Sequence, residues 1–247
     1  MVNIQEAIRK FPKRQAGANK GDLGHVLVIA GSFGYTGAAY LASQAAMLSG
    51  SGLVTLAAAK GIYDIMASKL TEVIVKPFFE TRDGSLSLMA ERDLLALSDK
   101  CDCIAIGPGL SRNKETTELV KSLVSKIAKP MVIDADGINA FAGHPELLKS
   151  AKAPTVLTPH PGEMARLTGK EVSEIQAARK DVATFFAAEY NTVLALKGSN
   201  TVVADQKGNV YVNQTVNAGM ASGGTGDVLT GMIASFEIGR ASCRERV

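Results

Sequence analysis

The densest chemistry in this sequence is the stretch NAGMASGGTGDVLTG, Asn217–Gly231. Glycines at 219, 223, 224 and 226 let the backbone turn tightly and present successive N–H groups. The apolar run Val228–Ile233 then opens a helix, and a helix start with free N–H groups attracts anions. Ser222 or Thr225 can add a hydroxyl donor. Asp227 falls in the first helical turn. There it can complement the helix dipole or act as a base beside a bound phosphate, and its place directly after Gly223, Gly224, Thr225 and Gly226 favours the base. No lysine follows Gly226, so this is not a Walker A loop. It lies near the end of the sequence, so it is not the first βα turn of a dinucleotide fold either.

Four other clusters carry reactive or polar groups. In Lys197-Gly198-Ser199-Asn200-Thr201, a lysine and a polar turn can engage phosphate or ribose, or form an ordinary hairpin-type turn. Asp134 and Asp136 can hold Mg²⁺ through water, or serve as turn and helix caps before Gly137. His160 sits between two prolines with Glu163 three residues on, a pattern that suits a ligand contact or a helix cap. Gly31-Ser32-Phe33-Gly34-Tyr35-Thr36-Gly37-Ala38 spaces its glycines as G-x-x-G-x-x-G. It therefore lacks the Rossmann fingerprint while still permitting close approach to a ligand. The histidines, 25, 144 and 160, are too far apart in sequence to suggest a metal set, and no metal ligands are assigned.

These groups need a scaffold that brings them together. Strand patterns at His25–Ala30, Leu53–Ala58, Val73–Val75, Cys103–Ile106, Met131–Asp134, Thr155–Leu157 and Val193–Leu196 alternate with helical patterns. The helical stretches are Tyr35–Leu48, Leu88–Leu97, Lys114–Ile127 and Ser173–Tyr190. That alternation predicts an α/β fold with a mainly parallel central sheet flanked by helices on both faces. Thr201–Ala204 and Val210–Asn213 read as an appended antiparallel hairpin. In such sheets ligands bind beyond the C-terminal strand ends, and every cluster above follows a strand or opens a helix.

The 247 residues suit one domain, with no repeat or linker in view. A net charge of +3 without a central basic cluster, and no tryptophan, argue against a nucleic-acid partner. No Cys-x-x-Cys pair exists, so Cys101 and Cys103 read as buried small side chains. Met1–Arg14 lacks the apolar stretch of a signal peptide, and no apolar run is long enough to span a membrane. A cytoplasmic enzyme is the expectation.

Taken together, the motifs resemble the ADP/ATP-dependent NAD(P)H-hydrate dehydratases, a family with a ribokinase-like fold. The matching stretches are KGDLGHVLVIAGS, YTGAAYLA, IGPGL, VIDADGIN, LTPHPGEMARL, LKGSNTVV and NAGMASGGTGDVLTG, in family order across residues 1–236. The resemblance implies dehydration of nicotinamide cofactor hydrated at C6, by phosphorylation of the C6 hydroxyl and loss of phosphate. It implies Asp227 as the base, and Ala38, Gly109, His160, Glu163 and Asp227 toward hydrated NADH or NADPH. Lys197, Gly198, Ser199, Asn200, Thr201 and Gly223–Gly226 would face ADP or ATP, with Mg²⁺ bridging phosphates. It also implies a homo-oligomer, commonly a tetramer. A vitamin-precursor kinase of the same fold, or a non-catalytic nucleotide-binding protein, remains the alternative; the His160–Glu163 segment favours the dehydratase. The stretch EIGRASCRERV, residues 237–247, departs from the family and reads as a non-native tail or a basic solvated one.

Overall fold

The computed structural model describes residues 17–215 and 217–244, with side chains to 238. The reading of Met1–Arg14 lies outside the described residues. Nine strands form one sheet: β1 His25–Ile29, β2 Leu53–Ala59, β3 Ile74–Phe78, β4 Cys103–Ile106, β5 Met131–Ile133, β6 Thr155–Leu157, β7 Val193–Leu196, β8 Val202–Ala204 and β9 Val210–Val212. The helices are α1 Thr36–Leu48, α2 Tyr63–Lys69, α3 Glu91–Ser98, α4 Lys114–Lys126, α5 Asp136–Asn139, α6 Pro161–Thr168, α7 Val172–Ala177, α8 Arg179–Glu189 and α9 Thr225–Arg244.

The strand order is β3-β2-β1-β4-β5-β6-β7-β8-β9. Strands β1 to β7 pair in parallel, and β8 and β9 close the edge antiparallel, as the hairpin pattern predicts. Val26 to Ile29, Val54, Leu56 to Ala59 and Cys103 to Ile106 are all buried. Strands with so little exposure need cover on both faces, which is why they read as unbroken apolar runs. Cys101 and Cys103 are free and buried, and burial pushes the Cys101 thiol up to about 11, so neither is a nucleophile at neutral pH.

Three local expectations are corrected. Strand β3 runs three residues past the predicted Val75, through Pro77 to Phe78. A proline is tolerated there because β3, paired only with β2 among the described residues, is an edge strand. The predicted helix Ser173–Tyr190 is broken at Ala178 (φ −128°, ψ 36°) into α7 and α8. The predicted helix from Leu88 begins as a 3-10 turn, Leu88–Ala90, capped by the Ser87 hydroxyl. At the other end of the chain, α9 continues past Phe236. Ile238 is buried, and the Ser235 hydroxyl meets that of Ser51 at 2.9 Å inside the protein.

Candidate active site

Strand order reverses at β1, which lies between β2 and β4. Ligands of open α/β sheets bind beyond the strand ends at such a point. Here Ser32, just after β1, donates from its hydroxyl to the Gly109 carbonyl, just after β4, at 2.8 Å. Gly109 has φ +63°, and a Cβ there would stand 2.8 Å from Tyr35 Cβ and 3.0 Å from Ala38 Cβ. Only glycine combines that backbone with that approach. Ala38 and Gly109, apart by 71 positions in sequence, therefore share one wall of the crevice.

The next strand ends supply the charges. Asp134 follows β5, His160 caps α6 after β6, and Lys197 follows β7. Lys197 Nζ lies 2.7 Å from Asp134 Oδ1 and 3.8 Å from Glu163 Oε2. Asp134 is 1% exposed and Glu163 5%. His160 and Glu163 form a reciprocal capping box. His160 Nδ1 accepts from the Gly162 and Glu163 amides at 3.0 and 3.2 Å, and Glu163 Oε2 accepts from the His160 amide at 2.8 Å. With Nδ1 accepting, the neutral ring carries its proton on Nε2. That edge stands 3.4 Å from Glu163 Oε1 while the side chain stays half exposed. So His160 is the helix cap, and its half-exposed ring faces Glu163 with Nε2.

The glycine loop arrives from the far end of the chain. Gly224 adopts φ +91° beside Leu41 of α1, and Thr225 begins α9. Asp227 sits in the first turn, half-buried. Burial pushes its carboxyl up to about 6, aided by the negative charges of Asp134 and Glu163 and opposed by Lys197. Burial likewise raises Glu163, against Lys197. A carboxylate poised near neutrality beside free helix amides is suited to taking a proton while an anion is bound. Gly198, Ser199 and Asn200 are exposed on the turn between β7 and β8, and Thr201 Oγ1 closes that turn on the Gly198 carbonyl at 3.0 Å.

The predicted residues thus fall into two adjoining groups. Ala38 and Gly109 line the switch point; His160, Glu163, Lys197 and Gly226 converge around Asp134. Asp136 turns away. Its Oδ2 accepts from the Ser111 amide and its Oδ1 from Asn139 Nδ2, so it serves α5 and the loop after β4. Asp134 is engaged at both oxygens, by Lys197 and Thr230. The aspartate pair therefore leaves no open carboxylate edge for Mg²⁺, and no cluster of three or more His, Cys, Asp or Glu among the described residues could hold a metal ion.

Two residues carry more of the site than their sequence context suggests. Thr230 reaches Asp134 from inside an otherwise apolar helical run; a lone hydroxyl three positions after Asp227 is the only trace. Arg179 donates from Nη2 to the carbonyls of Leu196 and Lys197 at 2.8 and 3.3 Å, and its guanidinium fills the space beside Gly198. Nothing in the linear sequence pairs it with that turn.

This sheet order, with a glycine-loop helix start facing a partly buried lysine, defines a ribokinase-like α/β protein. The family model for NAD(P)H-hydrate dehydratase matches residues 26–241, and the chain belongs to that family. It is 48% identical over 227 residues to a bifunctional NAD(P)H-hydrate repair enzyme of Moorella thermoacetica, covering 92% of this chain and 43% of that one. It therefore spans under half the length of such bifunctional relatives. It is 36% identical over 235 residues to the ADP-dependent (S)-NAD(P)H-hydrate dehydratase of Bacillus subtilis, covering 95% of this chain and 78% of that one. The crystal structure of a Bacillus subtilis ADP/ATP-dependent NAD(P)H-hydrate dehydratase, co-crystallized with ATP/Mg²⁺, superposes with a TM-score of 0.77 at 32% identity. That match covers 96% of this chain and 82% of that one.

Proposed function

We propose that this protein dehydrates (6S)-hydrated NADH and NADPH back to the intact cofactors, using ADP or ATP. The observation that carries this reading is the meeting of Asp227, Asp134 and the His160–Glu163 capping box around the Lys197 ammonium. Asp227 takes the proton of the C6 hydroxyl. The resulting alkoxide attacks the terminal phosphoryl group, and the new C6–O–P linkage forms as the bond to the nucleotide's bridging oxygen breaks. Amides of Gly223–Gly226 and the Lys197 ammonium oppose the charge that builds there. The nicotinamide nitrogen's lone pair then expels phosphate from C6, and loss of a C5 proton restores the ring double bond.

The nucleotide side is the turn Lys197–Thr201 with Gly226; the hydrated ring lies toward Ala38, Gly109, His160 and Asp227. Mg²⁺ would accompany the nucleotide and neutralise phosphate charge, with Asp134 and Asp136 already hydrogen-bonded within the protein. Residues 1–236 act as one ribokinase-like unit. The unusual composition from 237 onward begins inside α9, whose Ile238 still packs in the core. A homo-oligomer, a tetramer by family habit, and a cytoplasmic location complete the reading. Among the described residues no helix is long and apolar enough to cross a membrane.

Product analysis tests this directly. With ADP and hydrated NADH, the proposal requires NADH, free phosphate and AMP in equal amounts. A stable phosphorylated vitamin precursor, formed without free phosphate, would replace this reading with a small-molecule kinase.

A further inference from the structure

Asp134 stands directly after β5, and its two carboxylate oxygens serve two different motifs. Oδ1 receives Lys197 Nζ at 2.7 Å, and Oδ2 accepts the Thr230 hydroxyl at 2.8 Å. Thr230 is fully buried on α9, with its oxygen 3.1 Å from the Gly226 carbonyl one turn back. A buried carboxylate is costly unless both oxygens are compensated. Here the compensation comes from the strand that carries the nucleotide turn and from the helix that carries Asp227. The contacts span 63 and 96 positions of sequence.

The lysine has a second acceptor within reach, Glu163 Oε2 at 3.8 Å. Three carboxylates, Asp134, Glu163 and Asp227, therefore surround one ammonium, with the His160 ring beside Glu163. Which carboxylate holds Lys197 decides where the ammonium points. Held by Asp134, it lies 3.3 Å from where a Gly226 Cβ would be, against the start of α9. Released, it would pair with Glu163 and leave that helix start.

Resting on the function proposed above, we propose that Asp134 is a positioning residue: held by Thr230, it sets the Lys197 ammonium at the glycine loop to receive the nucleotide's terminal phosphate. The pair keys the nucleotide turn to the helix of the base, so the two halves of the phosphate site assemble as one unit. Asp134 acts through Lys197 and does not itself touch the reacting atoms.

The test is ADP binding with Mg²⁺ measured by titration calorimetry on Asp134→Asn, Lys197→Met and the double variant. Each single change should weaken ADP by about tenfold or more, and the double should be no weaker than Lys197→Met alone. Thr230→Val should weaken ADP by about three- to tenfold, and Thr230→Ser, which keeps the hydroxyl, should restore it. A purely structural role would give losses that add in the double variant. Additive losses, or unchanged affinity in Asp134→Asn, overturn the proposal. Should Asp134→Asn fail to fold, the Thr230 variants decide: unchanged ADP affinity in Thr230→Val overturns it. ADP binding needs no hydrated cofactor, so a failure of the dehydratase reading would show separately, as wild-type protein that binds ADP and yields no NADH.

Discussion

A Cβ on Gly226 would lie 3.3 Å from Lys197 Nζ, slightly inside ordinary contact distance, so two motifs 29 positions apart in sequence are closely apposed. The neighbour is the far end of a flexible side chain and can yield. Gly226→Ala should therefore leave Tm unchanged or slightly raised, since alanine favours a helix by up to about 1 kcal/mol. The displaced ammonium should lower kcat/KM for the nucleotide by about tenfold. Gly231, one turn further, is the contrast. Its Cβ would lie 2.1 Å from the Ala42 carbonyl oxygen and 2.8 Å from the Ala46 amide nitrogen, backbone atoms of α1 that cannot yield. Gly231→Ala should cost about 3 kcal/mol or more, read as a lowered denaturant midpoint.

The raised carboxyl of Asp227 predicts a pH profile with a definite sign. The ionised form is the base, so kcat/KM should fall below its value of about 6, tenfold per pH unit for a single proton. Stability runs the other way. A folded value above the unfolded one favours the protonated protein, so this contribution is present below about pH 4 and is lost as pH rises through about 6. Asp227→Asn should thus raise Tm at about pH 8, by a few degrees at most because the group is only half-buried, and the gain should fade toward about pH 4. Thermal scans across pH check this.

His160 joins two roles that substitution can separate. His160→Ala removes the cap and should cost about 1 kcal/mol. His160→Asn supplies a side-chain oxygen for the same amides and should keep Tm, while losing the Nε2 donor of the half-exposed ring. A higher KM for hydrated cofactor in both variants, with Tm lowered only in the first, is the expected pattern.

Arg179 supports the nucleotide turn through the carbonyls of Leu196 and Lys197. Arg179→Ala should raise KM for ADP by about tenfold while leaving the acid limb of the pH profile in place, because Asp227 and its charged neighbours are untouched. Arg179→Lys should rescue only partly, since one ammonium does not reproduce a guanidinium whose Nη2 donates to both carbonyls while Nη1 donates to Gln176 Oε1.

The sheet was legible because β1, β2 and β4 are buried on both faces and so read as continuous apolar runs. Glycine spacing marked the start of α9, and the His160–Glu163 pattern marked a cap. What stayed hidden depends on contacts between distant segments. Asp134 and Asp136 look equivalent in sequence, yet one points to Lys197 and Thr230 and the other to Ser111 and Asn139. The helix breaks at Ala178, and the next residue, Arg179, sends its guanidinium to the end of β7, a tertiary contact that local periodicity does not encode.

The most direct measurement follows the reduced-nicotinamide absorbance, at about 340 nm, of hydrated NADH mixed with the protein, ADP or ATP, and Mg²⁺. The wild-type protein should restore the signal in full, consuming one nucleotide per cofactor, and Asp227→Asn should slow it by about a hundredfold or more. A wild-type protein that restores no signal, or an Asp227→Asn variant that restores it undiminished, would contradict the account.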